Sequence, residues 1–455
     1  MTSFTKGEID RLGKNIRIEY FEIKDETIDS LQEYRTSHQL PLANVFKLIC
    51  SIAKSIHHSS IATYRIKRFE SIINKLDRYP DMRFSRMWDI AGCRIILRNE
   101  DEVYKTIEKI RAKSEIEIVK INDYIETPQP DGYKSIHLYL KHSSSNIIVE
   151  VQLRTLKNHN WATLVEITDL LFNTRIKEIG DDKILLEFHR LLSNTSELTI
   201  QDKYKIFEIL REKNYFEKLS EVFSKNYLIV RKQWLTLEAK TNHRYFLIEV
   251  DNNTPNIKSF SSFVEAEKEY FELYRNKTNT NVVLTYLQNH NYELLATAYA
   301  NYILTFHSFL FECLEIIETL ITDCLEEKKS FKLQKVYSFY NDLIYRFNKN
   351  TIQELDDSVE TYFNDLPLKV QSKLNKKRKL WIEDIQKQLI KLRDNQVQIA
   401  IKVQNRLKEN GVKNIILKYI IKFSNRKYRK LTKRLIGRST VLGPMMKKAN
   451  QKNNR

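Results

Sequence analysis

The chain has 455 residues, 42% of them hydrophobic, and a formal net charge of +18. That length accommodates two or three domains with separate cores, and the composition excludes a wholly disordered or collagen-like polymer. No apolar run approaches the roughly 18–20 residues of a membrane span, MTSFTKGEIDRLGKN lacks the core of a signal peptide, and the four cysteines show no CxxC-type spacing, so a cytoplasmic protein with reduced thiols is expected.

In chain order, residues 42–77 read as one or two helices ending near Arg78, ahead of Tyr79-Pro80. IAGCRIIL (90–97) reads as a strand, 101–113 as a helix and EIEIVKI (115–121) as a strand. SIHLYL (135–140) and NIIVEVQLR (146–154) read as two more strands, and 156–172 returns to helix. The expected fold is α+β, a four- or five-stranded mixed sheet flanked by helices, over a first domain at 36–200. No glycine lies between Gly180 and Gly411, and only Pro255 and Pro367 interrupt that span, which favours helical packing. RYFLIEVDNNTPNIKSF (244–260) departs from this as a hairpin, followed by a helix (263–276), the buried strand NVVLTYL (281–287) and another helix. These define a small α+β segment, 201–313. Residues 314–348 and 352–410 read as long helices within a helical extension, 314–455.

The charge is concentrated at one end. Residues 373–455 hold 25 Lys and Arg against 4 Asp and Glu, so the remainder of the chain is slightly acidic. KKRK (376–379) followed by Trp381, and NRKYRKLTKR (425–434), interleave cations with aromatics in the manner of RNA-contacting segments. The same composition suits nonspecific contact with RNA, ribosomes or anionic lipid. GVKNIILKYIIKF (411–423) has the pattern of an amphipathic helix for a membrane surface or for the protein's own body.

Three stretches align polar residues. In TYRIKRFESIINKLDRY, Lys67, Ser71 and Lys75 are spaced i, i+4, i+8, with Arg65 just before them. On a helix they share one face, which serves either to grip a polyphosphate or as a solvated stripe. In MWDIAGCRIIL, Asp89 stands directly before an apolar strand, either holding a metal or capping a turn, and Gly92 leaves room for close approach. In VEVQLRT, alternation places Glu150, Gln152 and Arg154 on one strand face, lining a cleft or facing water from an edge. A fourth stretch, DYIETPQPDGYKSIH (123–137), concentrates Pro128, Pro130 and Gly132 just before Tyr133, Lys134 and His137.

Taken in order, RIKRFESIINKL, WDIAGCRIIL, NDYIETPQPDGYKSIH and VEVQLRTLKNHNWATLVE resemble the synthetase domain of RelA/SpoT-type enzymes, a nucleotidyltransferase-like fold, over about residues 40–175. The WATLVE ending and the segment with NVVLTYL resemble small stand-alone synthetases, toxin members included. The resemblance implies transfer of the β,γ-pyrophosphate of ATP to a nucleotide 3′-hydroxyl, with GDP or GTP as acceptor and the alarmones ppGpp and pppGpp as products. It implies that Arg65 and Arg94 clasp adenine, and that Lys67, Ser71 and Lys75 hold the ATP phosphates. Asp89 and Glu150 would bind Mg²⁺, with Glu150 helping to deprotonate the hydroxyl. Tyr133 would stack on the acceptor base, His137, Gln129 and Lys134 would border the acceptor, and Gln152 and Arg154 would support the face.

No histidine precedes an aspartate, so the hydrolase domain of the long relatives is expected to be absent. Relatives that make alarmones usually carry Lys where this chain has Asn122 and Gln129, and Asn-Gly where it has Asp131-Gly132. Fewer cations there weaken the grip on a free nucleotide's 5′-phosphates. An alternative acceptor is therefore the 3′ end of tRNA, as in toxin-like relatives, with the basic tail gripping RNA. The narrower resemblance also implies an antitoxin partner. A catalytically idle nucleotide- or RNA-binding module is a third reading, which the retention of both Asp89 and Glu150 opposes.

Overall fold

The computed structural model describes residues 4–176, 180–219, 230, 233–234, 237, 240, 242–251, 254–276, 281–289, 291–299, 306–327, 330–364, 367–409 and 415–445. They form two compact units, Met1–Glu166 with Lys240–Ile303, and Ile167–Ala239 with Leu304–Arg455.

The first unit begins with three helices, α1 (Lys6–Ile18), α2 (Asp25–Ser37) and α3 (Gln39–Ile56). Thr5 opens α1 with a capping box, exchanging hydrogen bonds with Glu8. Gly13 allows α1 to lie against Phe84, where a Cβ would come within 2.6 Å of the Phe84 Cβ. Strand β1 (Ile61–Ile66) leads to α4 (Phe69–Arg78), and β2 (Ala91–Leu97) to α5 (Glu100–Arg111), which Asn99 caps. Strands β3 (Ile116–Asp123), β4 (Ile136–His142) and β5 (Ile148–Thr155) then precede α6 (Leu156–Phe172).

Residues 42–77 are thus not purely helical. IATYRI is a strand, because its apolar residues are sandwiched between β2 and a strand more than 200 residues away. That distant strand belongs to the segment expected to stand apart. Its hairpin, β6 (Tyr245–Asp251) and β7 (Thr254–Phe260), its helix α9 (Phe263–Asn276) and its strand β8 (Asn281–Leu287) all complete the first sheet. The turn residues Asn252 and Asn253 lie outside the described residues. One eight-stranded mixed sheet results, ordered β3-β4-β5-β2-β1-β8-β6-β7, with β2 and β5 parallel. Phe263, Ala266, Tyr270, Phe271 and Tyr274 bury one stripe of α9 in the same core as β1 and β2. The Tyr270 hydroxyl accepts the Ile66 amide at 2.9 Å. The boundaries 36–200, 201–313 and 314–455 therefore do not coincide with the compact units: strand pairing by β8, not sequence proximity, decides the division. A short helix, α10 (Tyr292–Ala298), closes this unit.

The second unit is helical, as expected of the C-terminal region. It contains α7 (Lys183–Ser193), α8 (Ile200–Glu212), α11 (Phe306–Glu326), α12 (Ser330–Asp357), a π-helical turn (Ser358–Phe363), α13 (Leu368–Glu409) and α14 (Ile415–Arg438). The breaks fall after Glu326 and just before Leu368, rather than between 348 and 352. Pro367 provides the second, since its missing N–H is tolerated at a helix start and not within one. Among the described residues no helix is long and apolar enough to cross a membrane.

Candidate active site

Strand register assembles one polar face across the middle of the sheet. Residues directly opposite in a ladder point to the same side. Arg65 faces Gly92, Gly92 faces Glu150, and Glu150 faces Tyr139. One row along, Thr63 faces Arg94, Arg94 faces Gln152, Gln152 faces His137, and His137 faces Asn122. Gly92 leaves a gap in the first row. A Cβ there would meet only the Glu150 carbonyl oxygen, at 3.7 Å, so the empty space lies above the sheet between Arg65 and Glu150.

Asp89 sits at the entrance to β2. Its Oδ2 accepts the Lys67 Nζ at 2.9 Å and the Lys75 Nζ at 2.8 Å. Lys67 is not on the helix, as the i, i+4, i+8 spacing suggested, but in the link between β1 and α4. Its amide donates to the Ile90 carbonyl at 2.7 Å, extending the β1–β2 ladder by one bond and setting the lysine beside Asp89. Lys75 comes from α4, whose buried Phe69, Ile72 and Leu76 fix the helix against the core. The two lysines therefore meet by convergence of two elements. Burial pushes the Asp89 carboxyl up, but the two ammonium groups outweigh it and hold it down at about 2. Burial also lowers the Lys67 ammonium, against the opposing pull of Asp89.

Glu150 is gripped at both oxygens. Its Oε1 lies 3.0 Å from His137 Nδ1 and accepts the Tyr139 hydroxyl at 3.5 Å; its Oε2 accepts Gln152 Nε2 at 3.0 Å. His137 Nε2 lies 2.8 Å from the Tyr133 hydroxyl, which also accepts Arg154 Nη2 at 2.6 Å. Gln152 Oε1 in turn accepts Arg154 Nη2 at 3.0 Å and Arg94 Nε at 3.2 Å. This makes a continuous network, Glu150–His137–Tyr133–Arg154–Gln152–Arg94. Burial pushes Glu150 up, yet the His137 hydrogen bond brings it below the usual carboxylate range. Burial lowers His137, and its bond to Glu150 more than reverses that. Burial likewise raises Tyr133, but Arg154 and His137 bring its hydroxyl down to about 7. Burial, Arg154 and Arg65 lower the Arg94 guanidinium to about 9, so it remains charged at neutral pH.

Not every expected residue joins this network. Arg65 is exposed at the rim and Ser71 is half-buried one turn before Lys75 on α4. Gln129 is exposed in a turn in which the Gly132 amide donates to the Gln129 carbonyl at 2.8 Å and Gly132 has φ +93°. Asp131 Oδ1 accepts the Tyr133 amide at 2.9 Å, a local turn contact that presents the aromatic ring. Lys134 is half-buried beside it. The Tyr133 ring has Tyr124 at 6.0 Å, Trp161 at 6.4 Å and the Arg154 guanidinium at 5.1 Å.

The sequence reading passed over several supporting residues. Arg35 on α2 is 2% exposed, donates to the Lys67 carbonyl at 3.1 Å and lies 4.2 Å from the Tyr274 ring centroid. Trp88 packs edge-on against Tyr139 at 5.5 Å, and Tyr124 against His137 at 5.2 Å. Tyr124, inside DYIETPQPDGYKSIH, and Trp88, inside MWDIAGCRIIL, lie within motifs of the sequence, whereas Arg35 lies before them.

The face also suits a hard divalent cation. Asp89 Oδ1 is buried with no hydrogen-bond partner, and the charge of Asp89 is felt at Glu150. Among the described residues no cluster of three or more His, Cys, Asp or Glu forms a complete metal cage. Two carboxylates are the protein's usual share for Mg²⁺, which takes its remaining ligands from water and substrate phosphates.

A family model described as a region found in RelA / SpoT proteins matches residues 64–170. The GTP pyrophosphokinase YwaC of Bacillus subtilis (strain 168) is 36% identical over 112 residues, covering 22% of this chain and 53% of that protein. The chain thus spans about half the length of that relative. The GTP pyrophosphokinase YjbM of the same organism is 28% identical over 189 residues, covering 40% of this chain and 79% of the relative. The crystal structure of small alarmone synthetase 1 from Bacillus subtilis bound to its product pppGpp shares 25% identity, with a TM-score of 0.26, over 34% of this chain and 78% of that one.

Proposed function

We propose that this chain, whose residues 64–170 form a RelA/SpoT-type synthetase domain, is an ATP-dependent pyrophosphokinase. It moves the β,γ-pyrophosphate of ATP to a nucleotide 3′-hydroxyl, with GDP or GTP as acceptor and (p)ppGpp as product. The observation that carries this reading is the pairing of two differently held carboxylates on one sheet face: Asp89 under two lysines, and Glu150 under His137 and Gln152.

The acceptor 3′-oxygen attacks the β-phosphorus of ATP, an O–P bond forms, and the bond from the bridging oxygen to that phosphorus breaks as AMP leaves. Glu150, ionised at neutral pH and held in place by His137 and Gln152, takes the hydroxyl proton. His137 holds the Glu150 carboxylate in one orientation. Lys67 and Lys75 exchange their bonds to Asp89 for the β- and γ-phosphate oxygens, where negative charge builds in the transition state. Arg94 and Arg65 offer planar guanidinium faces for the adenine. Asp89 and Glu150 would hold Mg²⁺, which would supply charge neutralisation at the phosphates. No hydrolase role is assigned to the chain.

A second reading has a specific observation behind it. The turn before Tyr133 carries Gln129 and Asp131, and Asn122 bonds to the Tyr124 hydroxyl at 3.3 Å, so none of these three supplies a cation for the 5′-phosphates of a free nucleotide. The 3′ end of tRNA, the toxin-like acceptor, lacks those terminal phosphates at its last residue. Incubation with γ-labelled ATP and Mg²⁺ separates the two. Label on GDP or GTP supports the first reading, label on deacylated tRNA the second, and label on neither overturns both.

A further inference from the structure

The catalytic reading leaves the basic C-terminal helix unused. From Gly411 to Arg455 the sequence contains no Asp or Glu. Helix α14 divides this charge sharply. Its inner side is committed to the helical unit: Ile421 and Tyr428 are buried, the Tyr345 and Tyr428 rings lie 6.2 Å apart, and the Tyr337 hydroxyl donates to Asn425. Just past its end, the Ser439 hydroxyl donates to Asp356 Oδ1 at 2.7 Å and the Val441 amide to the same oxygen at 3.1 Å. Leu442 packs with Ile352, Leu355 and Val359, and Leu435 and Ile436 lie against that cluster.

The outer side presents Arg426, Lys427, Lys430, Lys433, Arg434 and Arg438, all exposed, with Lys422 and Arg429 at its margin. At 100° per residue these cations span about half of the helix circumference, over a length of ~24 Å from Lys422 to Arg438. None of them has a carboxylate within ion-pair distance among the described residues. Tyr419 and Phe423 continue the same stripe and are 71% and 61% exposed, large values for aromatic rings.

We propose that the outer face of α14 is an RNA-binding surface, in which the cations follow the phosphate backbone and Tyr419 and Phe423 stack on unpaired bases. Exposed cations in a row, without carboxylate partners among the described residues, match a linear polyanion by charge, and exposed rings interleaved with them match the faces of single-stranded bases. A membrane surface fits less well. A helix lying on a bilayer inserts its apolar side, and Ile421 and Tyr428 of α14 are already buried in its own unit. The surface stands independently of the pyrophosphokinase reading, since it lies wholly within the helical unit.

The test is fluorescence anisotropy of the full chain with a short, labelled, mixed-sequence single-stranded RNA, from about 50 to about 200 mM salt. The wild-type chain should bind with strong salt dependence. The triple variant Arg426→Gln/Lys430→Gln/Arg434→Gln should bind at least ~10-fold more weakly, with a log–log salt slope shallower by about 2, from ~0.7 per lost phosphate contact. Phe423→Ala should weaken binding about 10-fold with the slope unchanged, the signature of a lost stacking contact. Asp89→Asn should bind RNA as the wild type does, which separates this surface from the active-site assignment. Melting temperatures accompany each variant, and should the triple variant prove unfolded, Phe423→Ala and Tyr419→Ala decide the matter. RNA binding that is absent, or equal in the triple variant and wild type, overturns the proposal. So does binding to phosphatidylserine vesicles in place of RNA.

Discussion

The central sheet face and the outer side of α14 are both rich in charge, yet they hold it in opposite ways. On the sheet, Lys67 and Lys75 share one oxygen of Asp89, and Arg94 and Arg154 share Gln152. Each of these charges has a defined partner, sits partly or fully out of water, and is felt by its neighbours. On α14 the cations from Lys422 to Arg438 are exposed, and among the described residues none has a carboxylate within ion-pair distance. The first arrangement fixes atoms to fractions of an ångström, as bond making requires, while the second supplies a screened, additive field suited to a long, variable partner. Charge count alone does not distinguish them; partners and burial do.

The largest effects should come from breaking the paired set. Glu150→Gln and Asp89→Asn are each expected to lower pyrophosphate transfer by about 10³-fold, measured as labelled product. Retained activity in either would remove that carboxylate from the site. Asp89→Asn should also lower stability by ~2 kcal/mol at neutral pH, from a carboxyl held at about 2 rather than 3.8. Because this affinity is depressed on folding, the contribution is fully present above about pH 4 and is lost as pH falls through about 2.

His137 tests whether the network orients the base. With both ring nitrogens engaged, His137→Gln should reduce kcat by roughly 10²-fold while KM for ATP stays near wild type. A raised KM for the acceptor with kcat intact would instead make His137 an acceptor contact.

Acid stability probes burial in both units. Burial holds His38 at about 4, and His159 and His189 at about 3, in the folded chain. Between those values and the ordinary histidine value of 6.5 the unfolded chain binds more protons, so these three rings make stability fall as pH drops below about 6.5. The urea midpoint at pH 5 should therefore lie below that at pH 7.5; equal midpoints would contradict neutral burial of these rings.

The smallest effect is expected on α14. Arg426→Gln/Lys430→Gln/Arg434→Gln should change stability by no more than about 0.5 kcal/mol per site and leave transfer to GDP unaltered. A cooperative loss of folding would show that these side chains are structural, and would blur the contrast between the two regions.

Much of the site was legible because its residues sit in short, ordered motifs. VEVQLRT revealed its polar face through strand alternation alone, and MWDIAGCRIIL placed a carboxylate at a strand entrance. The lysine pair was found for the wrong geometric reason. Helical spacing sets Lys67 and Lys75 on one face, whereas the link after β1 and helix α4 bring them together in the molecule. Arg35 escaped notice because its role is to hold the Lys67 carbonyl from another helix, a contact without local pattern.

Local chemistry in the sequence determined the alternating strands, the polar face of β5, the turn that presents Tyr133 and the basic end of the chain. Each depends on residues within one turn or one strand of each other. Tertiary structure decided that β8 pairs with β1, that the hairpin of β6 and β7 extends the same sheet, and that Ile421 and Tyr428 of α14 are buried while its cations are not. Hydrogen bonding between strands and burial of an apolar stripe both depend on partners that chain neighbours do not specify, so only the folded chain selects among them.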